Sequence, residues 1–149
     1  MMKELRFFGR RKGKAIKQSK QQLIDDLLPR LQPILPEEGA QFDMTQFFGI
    51  QPQEIWLEVG FGGGEHVAEL AKKYPNVGII GAEPFINGVA SLLAHLNGSH
   101  EKATTHTDLE EGRVDNVRIW PDDVRDMFPF FPDKLFKRIF VLYPDPWPK

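Results

Sequence analysis

The sequence predicts an α/β fold, a doubly wound Rossmann-like domain in which helices pack on a mostly parallel sheet. The main observation is the stretch at residues 55–65, IWLEVGFGGGE, where a short apolar run leads into four glycines within five residues. An amphipathic helical pattern follows at once, with Glu69, Lys72 and Lys73 on its polar face. Strand, glycine turn and helix in this order are typical of such domains, whose ligands bind beyond the carboxyl ends of the strands.

The elements on either side of this stretch support the same fold class. The segment Ser19 to Gln22 has the pattern of a capping box, and it precedes a helical stripe of leucine and isoleucine that ends near Pro29 and Pro33. Further strands are predicted at residues 77–82, 117–120 and 139–143, a second helix at residues 86–96, and a long polar loop at residues 97–116. The last strand, IFVLY, is continuously apolar, which predicts burial on both faces.

The residues around the glycine turn indicate which class of ligand binds there. A dinucleotide fingerprint would place its third glycine where this chain has Glu65. The pattern present is Gly60, Gly62 and Gly64, and Glu58 stands in the strand just ahead of it. Because helix N-termini attract anions, a carboxylate at this position would repel a pyrophosphate and attract a cation.

Two further acids follow the next two predicted strands. Glu83 lies 23 residues past Gly60, close to the spacing of about 20 residues at which an acid reaches a ribose diol. Asp123 follows the third strand, where an adenine amino group could be held. A cofactor with a ribose, a positive charge and no phosphate satisfies both Glu58 and Glu83, and S-adenosylmethionine is such a molecule. The sequence therefore predicts a methyltransferase rather than a dehydrogenase.

Composition narrows the remaining classes of protein. The chain has 149 residues and no cysteine, which excludes disulfides and thiolate metal sites, and its four histidines lack a convincing metal-ligand spacing. No apolar run approaches the ~20 residues of a membrane span, and no apolar segment follows the basic N-terminus as it would in a signal peptide. We therefore expect a cytoplasmic protein without a metal or a membrane partner, and we interpret the histidines as ordinary polar side chains.

Charge is unevenly distributed along the chain. Residues 1–20 carry eight basic side chains and one acid, whereas the remaining residues carry 11 basic and 20 acidic side chains. The central basic residues of this stretch are Arg10, Arg11 and Lys12. A basic segment on an acidic body predicts a polyanionic partner, here a nucleic acid. We therefore divide the chain into a basic arm at residues 1–18 and a Rossmann-like domain at residues 19–149.

With these pieces in place, the chain resembles the bacterial tRNA (guanine-N7-)-methyltransferases. The resembling segments are FFGRRKGK in the arm, LEVGFGGGEH at the glycine turn, IGAEPF at the second strand and YPDPWPK at the end of the chain. The last two are quite specific, whereas the glycine turn alone would indicate only a class I methyltransferase. The resemblance covers nearly all of the chain from Arg6 onward, although the loop at residues 97–113 is longer and less typical than in the family.

The resemblance implies roles for individual residues. Glu58, Glu83 and Asp123 match the cofactor-binding acids of the family. Asp145 matches the acid of its D-P-W motif at the active site, and so becomes a candidate for both catalysis and cofactor binding. Lys149 matches a substrate-contacting lysine. The implied activity is methyl transfer from S-adenosylmethionine to N7 of a guanine in the variable loop of tRNA, with tRNA also the partner of the basic arm.

Members of the family continue past this lysine, so the resemblance also implies that the chain is the N-terminal portion of such a protein. With a strand order of 3-2-1-4, its last strand would form an exposed edge, which predicts self-association or poor solubility and weak activity. Two alternatives stay open. One is a non-catalytic or inactive truncated RNA-binding protein with a cofactor-like fold. The other is an exocyclic-amine methyltransferase, whose usual loop is N-P-P before an aromatic, where this chain has Asp145-Pro146-Trp147.

Overall fold

The computed structural model describes residues 13–98 and 114–141, which form a parallel sheet with helices packed against it. The strands are β1 Glu54–Val59, β2 Val77–Ala82, β3 Val117–Trp120 and β4 Phe136–Phe140. The helices are α1 Gln18–Asp26, α2 Leu28–Leu31, α3 Met44–Phe47, α4 Glu65–Lys73 and α5 Ile86–Leu96. All strand pairs are parallel, in the order β3-β2-β1-β4. The predicted α/β class and strand order are therefore confirmed.

The sheet separates two apolar cores because successive side chains of a strand point to opposite faces. Trp56 and Ile79 point toward α1, α4 and α5 on one face. Leu57 and Ile80 point to the other face, which is covered by aromatic side chains from the segments around α3 and after β3. Strand β2 is buried along its whole length, as expected for a strand between two parallel neighbours with both faces covered.

The first helix begins two residues earlier than the predicted capping box requires. Helix α1 starts at Gln18, its N-cap is Lys17, and no side chain bonds to the cap. Ser19 is therefore already inside the first turn, and the predicted capping box is wrong. Leu27 separates α1 from α2, in which Pro29 occupies the first turn. Proline is tolerated there because the N–H groups of a first helical turn have no intrahelical acceptor.

The fourth strand also lies earlier in the chain than predicted. It spans Phe136–Phe140 rather than residues 139–143, and its pairing with β1 starts at Phe136 opposite Ile55. The predicted burial on both faces is wrong for the described part of this segment, because Ile139 is 59% exposed. The physical reason is that β1 is the only strand neighbour that β4 has among the described residues. The rest of the predicted strand lies outside the described residues.

We predict that this strand edge promotes self-association of the chain. Ile139 is 59% and Val141 is 55% exposed, and an apolar edge strand offers unpaired N–H and C=O groups to another chain. Replacing both residues by aspartate should lower the concentration-dependent mass measured by light scattering. Ile34→Asp is the control, since Ile34 is an exposed isoleucine that lines a pocket with Arg118 of β3, at the opposite end of the strand order from β4. A wild-type protein that stays monomeric at every concentration, or an equal effect of the control, would contradict the prediction.

Candidate cofactor-binding site

The predicted cofactor residues meet at the carboxyl edge of the sheet. Glu58 is the penultimate residue of β1, and Glu83 follows directly after β2. The backbone N–H of Glu83 donates to the carbonyl of Trp120 at 3.0 Å, which brings the segment after β3 alongside. The chain moves from β1 to β2 on one side and β4 lies on the other, so β1 is the topological switch point at which open α/β sheets bind ligands.

The glycine turn is a left-handed loop tied to the end of β2. The φ angles are +69° at Gly60, +61° at Gly62 and +83° at Gly64, a region that glycine alone enters without strain. The N–H of Gly62 donates to Oε1 of Glu83 at 3.1 Å. The N–H of Gly60 donates to the carbonyl of Ala82 at 2.8 Å. Loop amides of the kind that hold a phosphate in dinucleotide-binding domains are thus engaged within this protein.

Helix α5 packs directly on this loop through bare backbone. A Cβ atom at Gly88 would lie 2.1 Å from the carbonyl oxygen of Gly62. A Cβ atom at Gly64 would lie 2.4 Å from Cβ of Leu92. Both positions therefore require glycine, and α5 fixes the position of the loop. The sequence analysis did not single out Gly88, although an isolated glycine inside an apolar helix often has a packing reason.

Glu58 is a fully buried carboxylate with one satisfied oxygen. Its side chain is 0% exposed, and its Oε1 accepts a hydrogen bond from Nδ1 of His66. Its Oε2 has no hydrogen-bond partner among the described residues. Burial raises the pKa of Glu58, whereas the hydrogen bond from His66 and the charge of that ring lower it. A buried acceptor without a partner is costly, so Oε2 is the atom in this site most in need of a cationic or donating ligand.

His66 has a defined position beside this acid, which the sequence analysis did not anticipate. It lies in the first turn of α4. Its ring packs edge-on against Phe140 at the end of β4, with centroids 5.1 Å apart and an interplanar angle of 75°. Because a tight turn joins β1 to α4, the first turn of the helix lies close to the end of the strand. A polar residue in that turn could therefore have been paired with the acid from the sequence.

Asp123 follows β3 along the same edge, and its carboxylate is engaged by Arg125. Its Oδ1 accepts from the Arg125 backbone N–H at 2.9 Å, which caps the turn at Val124–Asp126. Its Oδ2 accepts from the Arg125 guanidinium at 2.5 Å, and this hydrogen bond raises the pKa of Arg125. The structure thus places Asp123 next to Glu83 along the edge. Its role in holding an adenine stays a prediction.

The remaining predicted site residues lie outside the described residues. They are Asp145, Lys149, Arg10, Arg11 and Lys12. What the structure describes is the base of the basic arm, where the side-chain amide of Asn87 binds two consecutive residues. Asn87 Oδ1 accepts from the N–H of Gly13 at 2.8 Å, and Nδ2 donates to the carbonyl of Lys14 at 2.7 Å. We call this pair of hydrogen bonds the Asn87 latch.

The latch fixes where the arm meets the domain. A Cβ atom at Gly13 would lie 2.7 Å from the ring of Phe85, which follows Glu83 by two residues. The base of the arm therefore lies beside the carboxyl edge. The division of the chain at residue 18 stays a prediction, and Gly13 and Lys14 are bound to the domain.

Two further findings concern residues 13–98 and 114–141. Within these ranges no helix combines the length and the apolar character needed to cross a membrane. The same ranges contain no group of three or more His, Asp or Glu side chains arranged to hold a metal ion.

The fold and the edge just described are those of a methyltransferase domain. Residues 52–149 match a family model described as "Putative methyltransferase", and the chain belongs to this family. The tRNA (guanine-N(7)-)-methyltransferase of Paramagnetospirillum magneticum is 46% identical over 97% of this chain and 56% of its own length. The protein of the same name from Rhodospirillum rubrum is 43% identical over 98% of this chain and 53% of its own length. The predicted family resemblance is confirmed.

These matches cover almost all of this chain but only part of each relative. The chain spans about half the length of the curated relatives it matches. The solved structure of a putative methyltransferase from Thermoplasma acidophilum superposes with a TM-score of 0.44 at 21% identity, over 72% of this chain and 43% of that one. A likeness this weak adds nothing to the assignment.

The buried acid gives a prediction that needs no ligand. The pKa of Glu58 is raised in the folded protein above the ordinary value of 4.5 for a glutamate. The protein therefore loses stability as the pH rises from 4.5 through the raised pKa, because the buried side chain must then ionise. Glutamine cannot ionise, so Glu58→Gln avoids this loss of stability. The variant should therefore unfold at a higher temperature than wild type near neutral pH, with no advantage below pH 4.5, as measured by calorimetry.

The matched control is Glu69→Gln, because Glu69 is exposed on the same helix that carries His66. It removes the same charge without removing a buried carboxylate, so its unfolding temperature should show no such pH-dependent gain. A Glu58→Gln protein that is less stable than wild type at neutral pH would contradict the interpretation that ionisation of the buried Glu58 destabilises the fold.

Proposed function

We propose that this chain binds S-adenosylmethionine and that its protein methylates N7 of a guanine in the variable loop of tRNA. The observation that supports the proposal most directly is the buried Glu58, whose Oε2 lacks a partner among the described residues beside a left-handed glycine loop. The relatives at 46% and 43% identity are named for this reaction, which supports both the methyl donor and the substrate class.

The residues present fit S-adenosylmethionine better than a dinucleotide. A cationic group finds an acceptor in Oε2 of Glu58, a buried atom for which residues 13–98 and 114–141 offer no hydrogen-bond partner. Ribose hydroxyls find a charged acceptor in Glu83, whose carboxylate is anchored to Gly62. A pyrophosphate finds the opposite arrangement, because the amide of Gly62 is already bonded to a carboxylate and both acids repel the phosphate charge.

The chemistry of the proposed reaction asks for positioning more than for proton transfer. When bound, S-adenosylmethionine would supply an electrophilic methyl group on a sulfonium sulfur. Guanine N7 would take the methyl group with its lone pair while the bond from that methyl to sulfur breaks and S-adenosylhomocysteine leaves. Because N7 carries no proton, no general base is required, and the methylated base would become cationic. The protein must hold the two reactants in line and exclude water, an effect of up to about 7–11 kcal/mol in ideal cases. Asp145, by its match to the active-site acid, would stabilise the charge that develops on the base.

The Asn87 latch supports tRNA as the partner of the basic arm. It binds the chain at Gly13 and Lys14, directly after the basic residues at positions 10–12. The arm would therefore deliver positive charge to the edge that holds the cofactor acids, where a tRNA phosphate backbone must approach. A tRNA substrate also supports the predicted cytoplasmic location.

The first test concerns the cofactor. S-adenosylmethionine and its demethylated product S-adenosylhomocysteine should bind in calorimetry, and NAD should not. Glu83→Gln should weaken binding by about 1–3 kcal/mol, since the ribose hydroxyls lose a charged acceptor. Glu69→Gln is the control and should bind as wild type does. Equal affinity for NAD, or unchanged binding by Glu83→Gln, would contradict the proposed cofactor.

The second test concerns the arm. Removal of residues 1–12 leaves the latched residues in place, so cofactor binding should be unchanged while tRNA affinity falls steeply. In the intact chain, log affinity should decrease with log salt, and each lost phosphate contact should reduce that slope by roughly one. Alanine at Lys72, Lys73 and Lys137, which are exposed on the domain, removes the same charge as alanine at positions 10–12. If this control variant lost as much tRNA affinity as the arm variant, the assignment of the arm as the tRNA-binding segment would be contradicted.

The same measurements separate the proposal from the non-catalytic alternative. Tight tRNA binding together with cofactor binding, followed by transfer of a labelled methyl group to guanine N7 in tRNA, supports the enzyme. Tight tRNA binding by a chain that binds neither S-adenosylmethionine nor S-adenosylhomocysteine would favour an RNA-binding protein with a cofactor-like fold.

A further inference from the structure

His66 joins three elements at the point where the cofactor acid is buried. Its Nδ1 donates to Oε1 of Glu58 on β1, and its ring packs against Phe140 of β4, while its own backbone belongs to α4. The His66 side chain is 28% exposed and that of Glu58 is 0% exposed. The ring therefore lies between a buried carboxylate and solvent, with its orientation fixed by an aromatic contact from a neighbouring strand.

Only one of the two oxygens of the Glu58 carboxylate has a hydrogen-bond partner among the described residues. A pair that served only to stabilise the fold would be expected to engage both carboxylate oxygens, because an unpartnered buried acceptor costs free energy. Here Oε1 is bonded and Oε2 has no partner among the described residues. The single hydrogen bond thus fixes the rotation of the carboxylate and selects which oxygen can receive a ligand.

We propose that His66 is a positioning residue for the cofactor. By donating from Nδ1 to Oε1, it fixes the orientation of the buried Glu58 carboxylate and holds Oε2 ready for the ammonium group at the amino-acid end of S-adenosylmethionine or S-adenosylhomocysteine. This inference rests on the proposed cofactor and adds to it a second residue, which acts through Glu58 and shifts the pH range in which the cofactor binds.

The other ionisable groups described around Glu58 have different contacts from that of His66. The pKa of Glu58 is raised by burial and lowered by His66 through a hydrogen bond and through charge. Glu83, at the end of β2, is a second carboxylate whose Oε1 is bonded to the loop amide of Gly62. On α4, Glu65 lies next to His66 and is largely exposed, and on β4 the guanidinium of Arg138 lies over the ring of Trp56. On α5, His95 lies 3.8 Å from Glu65.

The direction of the pH effect follows from these contacts. An ammonium group bound at Oε2 is held best by an ionised Glu58, so the affinity of a ligand that carries one falls as the pH drops through the pKa of this acid. Removing His66 removes the group that lowers this pKa, so the fall in affinity should begin at a higher pH. His66→Leu removes the donor. His66→Asn restores an N–H donor close to the position of Nδ1 without a titratable ring.

The test measures binding of S-adenosylhomocysteine by calorimetry across roughly pH 5 to 8. His66→Leu should bind it about tenfold more weakly at the lower end of this range, and the fall in affinity should move to higher pH. His66→Asn should recover most of the lost affinity. The neutral probe 5′-methylthioadenosine keeps the adenine and ribose but lacks the amino-acid end, so its affinity should be the same in all three proteins.

A double-variant comparison decides whether His66 acts through Glu58. In a Glu58→Gln background there is no carboxylate charge to preserve, so adding His66→Leu should change S-adenosylhomocysteine binding no further. An equal loss in both backgrounds, or an unshifted pH profile in His66→Leu, would overturn the inference while leaving the proposed cofactor intact. Wild-type protein that binds neither probe would instead overturn the proposed cofactor, and the role of His66 with it.

Discussion

The burial of the Glu58 carboxylate is the constraint on which the carboxyl edge of the sheet depends. An ionised carboxylate that is withdrawn from water is tolerated only when other groups in the protein satisfy it. His66 supplies that partner, and it can do so only because α4 begins immediately after the glycine turn and places its first turn over the end of β1. The left-handed conformation of Gly64, the residue before α4, makes this tight return possible.

The same edge is held together by backbone contacts that exclude side chains. Helix α5 approaches the loop so closely that Gly88 and Gly62 meet backbone to backbone. Glu83 then ties the loop to the end of β2 through the amide of Gly62. The two acids therefore have different roles in the protein without ligand. Glu83 stabilises the loop, whereas one oxygen of Glu58 has no hydrogen-bond partner among the described residues. A loop fixed in this way is pre-organised, which lowers the entropy cost of binding a ligand.

Several features of this edge were predictable because they are local in the sequence. Apolar runs of strand length, four clustered glycines and an amphipathic helix predicted the β1–α4 unit, and acids at the strand ends predicted Glu58, Glu83 and Asp123 at one edge. The position of β4 was missed because its pairing starts at Phe136 and includes the charged Lys137 and Arg138, which interrupt the apolar pattern. An edge position among the described strands allows those charges to reach solvent.

The sequence by itself determined the fold class, the strand order expected of its family, the placement of three acids at the strand ends and the family resemblance. Only the tertiary structure decided which distant groups meet, such as Gly62 with Glu83, His66 with Phe140, and Asn87 with Gly13, which lies 74 residues away. The physical reason is that local sequence records conformational preference and burial, whereas such a contact depends on how elements distant in sequence pack. That Oε2 of Glu58 has no hydrogen-bond partner in the part of the chain that the structure describes could be recognised only after that packing was known.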